Sequence, residues 1–408
     1  MNHSPSTSLN VAVTVVAMLA SCLALPNPTA ACTTAVISGA ATADGRPILW
    51  KNRDASDLHN QLVACHDGRY RYVGVVNQGD TAGLQIWAGI NTQGFAIMNA
   101  ASYSLEEGDT VAEGNFMKLA LQTCDTVADF QALLDKTSPG RDISANFGVI
   151  DARGGAAFFE TGKKTYTRYD ATDPKTAPHG YIVRTNYSES ANRDKGSGFL
   201  RAERANALFE AMLEAGPLTV QRLLIGVCRD IGNARLGNPL AVRKSGDPAW
   251  AYVRDSINRY ETSSAALFAS VKPGENPALA TAWIVLGQPV TGVAVPLWAA
   301  TGEVPAEVTA GKDPAPLNAA FDKIRDFLYP NRYGDLKSYI NVQRLAEPKD
   351  GIRVALAARE AANFAEAGAA LEKWRTSLPA APDMAALQEE LVRSTLETMK
   401  ALATKLGI

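Results

Sequence analysis

From residue 33 to residue 99 the chain offers one strand signal after another, with only turns between them. Residues 33–38 (Thr-Thr-Ala-Val-Ile-Ser) are rich in β-branched side chains, which suit a pleated strand. Residues 42–45 (Thr-Ala-Asp-Gly) supply a turn, and residues 47–52 read as the returning strand. Residues 70–77 and 84–90 read as two more strands, and Asn91-Thr92-Gln93-Gly94 turns into a strand ending at Asn99. Such short runs joined by turns predict antiparallel hairpins. Helices are expected over residues 115–122 and 127–134, with Asp125 or Thr126 as the N-cap of the second. Strands at 146–151 and 156–160 flank a glycine turn, and another at 181–185 ends at Asn186.

Two helices follow, near 199–213 and 219–230; in the first, Leu200, Ala205, Leu208 and Met212 recur at a helical period. Residues 235–250, with several Gly and Pro, read as loop, and 262–271, 281–286 and 293–298 return to strand. From about residue 316 the pattern is helical to the end, interrupted by Pro379 and Pro382. Strand groups alternating with helix pairs predict layered antiparallel sheets covered by helices, an α+β fold. No internal repeat or low-complexity tract is present.

The first 31 residues differ in kind. They hold no Lys, Arg, Asp or Glu, and residues 11–25 are almost wholly apolar. That run is shorter than the roughly 20 residues a membrane span needs. It is followed by Pro26-Asn27-Pro28-Thr29-Ala30-Ala31, a helix-breaking stretch ending in small residues. This is the layout of a secretory signal peptide over residues 1–31, cleaved after Ala31, and it predicts a secreted or periplasmic protein. A rival reading takes Leu19-Ala20-Ser21-Cys22 as a lipobox, with Cys22 as a lipid-bearing residue of an envelope protein. No later segment is apolar and long enough to span a membrane. With 46% hydrophobic and 20% charged residues the chain can build a core without metals or disulfides. A net charge of -2 and no basic block argue against a nucleic-acid partner.

Cys32 would then be the first residue of the mature chain. A nucleophile needs a base, and histidine is scarce here, with four in all. A terminal cysteine brings its own: a free α-amino group titrates near ~7.7–8.0 and a thiol near ~8.5, so proton transfer between them costs little. One residue would supply both nucleophile and general base. Cys65, Cys124 and Cys228 fit no zinc or redox spacing; they form one disulfide with a thiol over, or are buried small hydrophobes. Asp57, His59 and His66 are close in sequence, but their spacing fits no short metal motif, so no metal is expected. No glycine-rich phosphate loop appears, and no cofactor is indicated.

A Cys-Thr start, a hairpin and then Trp50-Lys51-Asn52-Arg53-Asp54 resemble the opening of the choloylglycine hydrolase and penicillin V acylase group. They resemble still more the acyl-CoA:6-aminopenicillanic acid acyltransferase-like peptidases. Both are cysteine N-terminal-nucleophile (Ntn) hydrolases acting on linear amide C–N bonds. The resemblance implies a four-layer αββα sandwich with Cys32 at the start of a central strand. It implies that Asp54 binds the α-ammonium and that Lys51, with Arg53 as neighbour, favours the thiolate. Arginine is usual at the Lys51 position in bile-salt hydrolases, and a lysine there cannot make a bidentate contact. The segment from Ala88 to Asn99 resembles the family's strand-turn-strand leading to an oxyanion-hole residue, here Asn99 or, with a two-residue slip, Ala101. Val183-Arg184-Thr185-Asn186 resembles its Thr-Asn segment, making Asn186 the oxyanion donor. For the family's late catalytic arginine the candidates are Arg254 and Arg259.

The expected organisation is a leader (1–31), a catalytic domain (32–314) and a helical C-terminal extension (315–408), the last read as packing or oligomer contacts. The expected function is hydrolysis of a linear, non-peptide amide of a small molecule through a thioester on Cys32. The alternatives are acyl transfer to an amine acceptor, or a non-catalytic envelope lipoprotein anchored at Cys22.

Overall fold

The computed structural model describes residues 31–105, 110–138, 140–241, 243, 246–309, 313–330, 336–347 and 351–408. The leader expected over residues 1–31, with Cys22, lies outside the described residues except for Ala31. In chain order the strands and helices are β1 (Thr33–Ile37), β2 (Ile48–Asp54), β3 (Asn60–Cys65), β4 (Tyr72–Asn77), β5 (Ala88–Asn91) and β6 (Ala96–Ala101). Helices α1 (Thr110–Thr123) and α2 (Val127–Thr137) precede β7 (Ala145–Ile150), β8 (Ala156–Thr161), β9 (Tyr166–Asp170) and β10 (Tyr181–Arg184). Then come α3 (Phe199–Glu214), α4 (Val220–Leu223), β11 (Trp250–Tyr252), β12 (Thr262–Ala269), β13 (Thr281–Val285) and β14 (Val295–Leu297). The chain ends with α5 (Pro316–Leu328), β15 (Tyr339–Asn341), α6 (Val342–Ala346), α7 (Ile352–Thr376) and α8 (Ala381–Leu406).

Strands β3 to β9 form a seven-stranded antiparallel meander, each pairing with the next. The second sheet has six strands in the order β10-β1-β2-β12-β13-β14, so early and late segments meet beside β1. The two sheets face each other, with Val36, Leu49, Met98 and Phe158 in one buried cluster. Gly148 on β7 lets them approach: a Cβ there would lie 2.3 Å from the Met98 Cε and 2.9 Å from the Val36 Cγ2. On the outer face of the meander, Phe130 of α2 packs edge-on to Phe147 and Phe159. On the outer face of the other sheet, Phe209 of α3 meets Trp50, and Phe364 of α7 stacks on Trp283 with centroids 3.9 Å apart. The layers are therefore helix, sheet, sheet, helix, the expected αββα arrangement of an α+β fold.

Several elements differ from the sequence expectation. β3 goes unread in sequence because its first residues, Asn60 and Gln61, are polar yet buried, and strand signals rely on apolar alternation. The strand expected from residue 84 starts only at Ala88. Asp80 accepts from the Leu84 and Gln85 amides and holds a turn there, leaving Leu84 exposed. β9 is a half-exposed edge strand of mostly polar residues. The ribbon β11–β15 begins at Trp250, the last residue of an expected loop, and takes its second strand from the expected helical tail. The helix expected over 219–230 shortens to α4 and widens into a π-type turn, Leu224–Cys228. Pro382 starts α8 instead of interrupting a helix, because its missing N–H falls in the first turn, where none is needed. Thr126, not Asp125, caps α2, in a reciprocal capping box with Asp129. Cys65, Cys124 and Cys228 are free and buried, the packing alternative of the two considered. None of the described helices is long and apolar enough to cross a membrane.

Candidate active site

Cys32 stands just before β1, between the ends of β10 and β2, and is 3% exposed. Side chains along β2 alternate across the sheet. Leu49 points toward the meander and Trp50 toward α3, so Lys51 and Arg53 also point between the sheets. Lys51 is buried; its Nζ donates to the Trp87 carbonyl (2.8 Å) and to the Asn99 Oδ1 (2.6 Å). The Asn99 Nδ2 in turn donates to the buried Glu113 of α1 at 2.7 Å. Arg53 lies over the Trp87 ring, 5.1 Å from its centroid, and donates to Asn77 at 2.6 Å. Burial lowers the Lys51 pKa to about 8 and that of Arg53 to about 10, nearby negative groups opposing the shift in both.

Asp54, 1% exposed, is fixed from two sides. Its Oδ1 accepts from the Thr262 hydroxyl (2.6 Å), and its Oδ2 lies 2.8 Å from the Arg259 Nη2. The Arg259 contact is an ion pair at an angle that makes no hydrogen bond, so this buried Oδ2 keeps an unused acceptor. Burial works against the charge on Arg259, but Asp54, Glu261 and the other negative groups nearby together outweigh it and raise the guanidinium above its usual value. Cys32, Lys51, Asp54 and Asn99 share the wall of one cavity of about 210 Å³, with Arg53, Trp87 and Glu113.

Asn186 is not on that wall. It lies just beyond β10, fully buried, and its Nδ2 donates to the carbonyl of Ala101, which is on the wall. Arg201 of α3 joins it to the start of β1: Nη2 donates to the Asn186 Oδ1 (2.7 Å), and Nη1 to the Cys32 carbonyl (2.5 Å) and the Thr33 hydroxyl (2.9 Å). Gly198, at φ +86°, makes the room, since a Cβ there would sit 2.4 Å from the Arg201 Nη2. Burial, then the neighbouring Arg259, lowers the Arg201 pKa to about 10. Where the chain runs on from Ala31, the Ala31 carbonyl accepts from the Arg259 Nη2 at 3.2 Å and, at the outer limit, from the Arg201 Nη1 at 3.5 Å.

Of the two arginines considered from sequence, Arg259 meets Asp54 and Arg254 is exposed. Arg201 and Glu113 were missed, although a signal existed for both. Arg201 falls in phase with the buried stripe Ala202, Ala205 and Phe209, and Leu200, Leu208 and Met212 only flank that stripe. Glu113 falls in phase with Met117, Ala120 and Leu121. A charge on the buried face of a helix has to be partnered. Among the described residues no His, Cys, Asp and Glu cluster could hold a metal: His66 meets the Gly302 carbonyl at 2.7 Å, and His59 faces Asp322.

Residues 41–206 match the family model described as acyl-coenzyme A:6-aminopenicillanic acid acyl-transferase. The resemblance read from the sequence thus holds over a span that begins after Cys32 and includes Lys51, Asp54, Asn99, Asn186 and Arg201. No curated protein matches the sequence. Among solved structures, a mutant of the conjugated bile acid hydrolase from Clostridium perfringens aligns at TM-score 0.39 and 10% identity, over 65% of this chain and 92% of that one. Penicillin V acylase from Agrobacterium tumefaciens aligns at TM-score 0.38 and 11% identity, over 65% and 86%. The Caenorhabditis elegans ortholog of N-acylethanolamine-hydrolyzing acid amidase aligns at 0.35 and 12%, over 58% and 91%.

Proposed function

We propose that the protein is an enzyme of amide hydrolysis or acyl transfer, and that it works as a linear amide hydrolase with Cys32 as N-terminal nucleophile. The observation that carries this reading is the buried Asp54 on the same cavity wall as Cys32, held by Thr262 and Arg259 with one acceptor unused. That oxygen suits an ammonium, and cleavage between Ala31 and Cys32 would create one. In the full chain that bond is buried, with Ala31 5% and Cys32 3% exposed, so an external protease could reach it only before folding. The leader would direct the chain to the periplasm or outside the cell.

In this mechanism the Cys32 sulfur attacks the amide carbonyl and the α-amine takes the thiol proton. The developing oxyanion is met by the second N–H of Asn99, while Asn186, off the cavity wall, holds the Ala101 carbonyl and is tied through Arg201 to the Cys32 carbonyl. Lys51, Arg53, Arg201 and Arg259 all lie within electrostatic reach of Cys32, so negative charge formed there is opposed by fixed cations. The α-ammonium returns its proton to the leaving amine, and water releases the acid from the thioester. An acceptor amine in place of water would make the same protein an acyltransferase.

The test is a panel of N-acyl amides assayed with correctly processed protein, reading amine release and the fate of a labelled acyl group. Release of free acid with added amine present marks a hydrolase; capture by that amine marks a transferase. No turnover of any amide would remove the reading.

The lowered pKa of Lys51 gives a second expectation. As pH rises through about 8 this side chain loses its proton, and its charge is withdrawn from the site. The rate kcat/KM should therefore fall on an alkaline limb near that value. In a Lys51→Arg variant the charge persists, because arginine does not deprotonate in this range, and the limb should move upward. Identical pH profiles for the two proteins would show that the Lys51 charge is not what sets the limb.

A further inference from the structure

A second cavity, of about 270 Å³, lies on the helical side of the six-stranded sheet, away from Cys32. Its floor is apolar: Leu208 of α3, Ile225 and Ile231 around the π-type turn, Val290, and Leu356 of α7. Ile225 is 57% exposed, an apolar side chain left uncovered at this cavity. One face of α7 lines the opposite wall, with Arg353, Leu356, Ala357 and Glu360 at helical spacing. The wall's buried charges are already matched. Arg229 meets Glu360 through two bonds of 2.7 and 2.6 Å, and Arg204 meets Asp230 through two of 2.9 and 2.7 Å. Arg353 differs: it is exposed at the mouth and has no partner among the described residues.

A chamber with an apolar floor, the neutral amides of Gln221 and Asn238 at its sides and one unmatched guanidinium on its wall selects an apolar body carrying one negative charge. We propose that this cavity binds a medium-chain carboxylate, with its carboxylate on Arg353 and its chain against Leu208, Ile225 and Leu356. The volume equals about nine waters of liquid, room for a chain of about eight carbons. The wall that makes the site selective belongs to α7, beyond the span matched by the acyl-transferase family, so the C-terminal helices would add this site to the catalytic layers.

Isothermal titration of the processed, full-length protein with octanoate, octanol and octylamine tests this. Octanoate should bind saturably, octanol about threefold more weakly, and octylamine weakest, since an exposed ion pair adds only a few-fold. Arg353→Gln should weaken octanoate about threefold and leave octanol unchanged. Ala357→Trp should fill the chamber and abolish binding of both, with the melting temperature unaltered. Saturable octanoate binding that survives Ala357→Trp would place the ligand elsewhere and overturn the proposal. So would an absence of saturable binding up to about 10 mM octanoate.

Discussion

Replacing Cys32 by alanine is expected to lower amide turnover by a factor on the order of 10⁴ or more while leaving the fold intact. Among the described residues of the cavity wall Cys32 carries the only thiol; the other polar side chains are amides, carboxylates, cations, the Trp87 indole and the Ser56 hydroxyl at the exposed rim. The change removes one sulfur from a strand end fixed through its backbone, where Arg201 donates to the Cys32 carbonyl, so a stability loss of only about 1 kcal/mol is expected. The check is paired: steady-state kinetics on the best amide of the panel, and a denaturant melt of the same preparations. Alanine activity within tenfold of wild type would rule out the thioester.

The second large effect is expected at Asp54, on stability as well as rate. Asp54→Asn keeps an oxygen for the Thr262 hydroxyl but removes the charge that faces Arg259 and, in the proposed mechanism, the α-ammonium of the processed chain. Loss of one partner from a buried ion pair costs about 3–5 kcal/mol, because the other charge stays buried and uncompensated. The rate should fall about 10²- to 10⁴-fold as the amine loses its orientation. A double-mutant cycle with Arg259→Gln separates the two. The double variant should regain much of the stability, since no lone charge remains, but not the rate. Recovery of both would mean that Asp54 serves only as the counter-ion of Arg259.

What the sequence disclosed, and what it hid, follows from how many neighbours each residue needs to be understood. The β1–β2 hairpin and the helices α2, α3 and α8 are local patterns and are legible as such, as is the αββα layering through the resemblance of the front motif. Lys51 and Asp54 could be named because they lie on the strand next to Cys32, at a spacing shared with a known opening. Arg201 could not be assigned from its own segment, since its partners, the Cys32 carbonyl and Asn186, lie at the ends of two strands, β1 and β10. The same holds for Glu113, whose bond to Asn99 crosses from helix to sheet. Strands β11 and β15 pair across a long stretch of chain, and nothing local to either announces the other.

In the proposed mechanism attack and proton acceptance reside in a single terminal residue, so the deciding measurement is N-terminal sequencing, with intact mass, of protein that turns over substrate. The first residue should be Cys32 with an unmodified amine. Full activity in a chain that still carries Ala31 would contradict it.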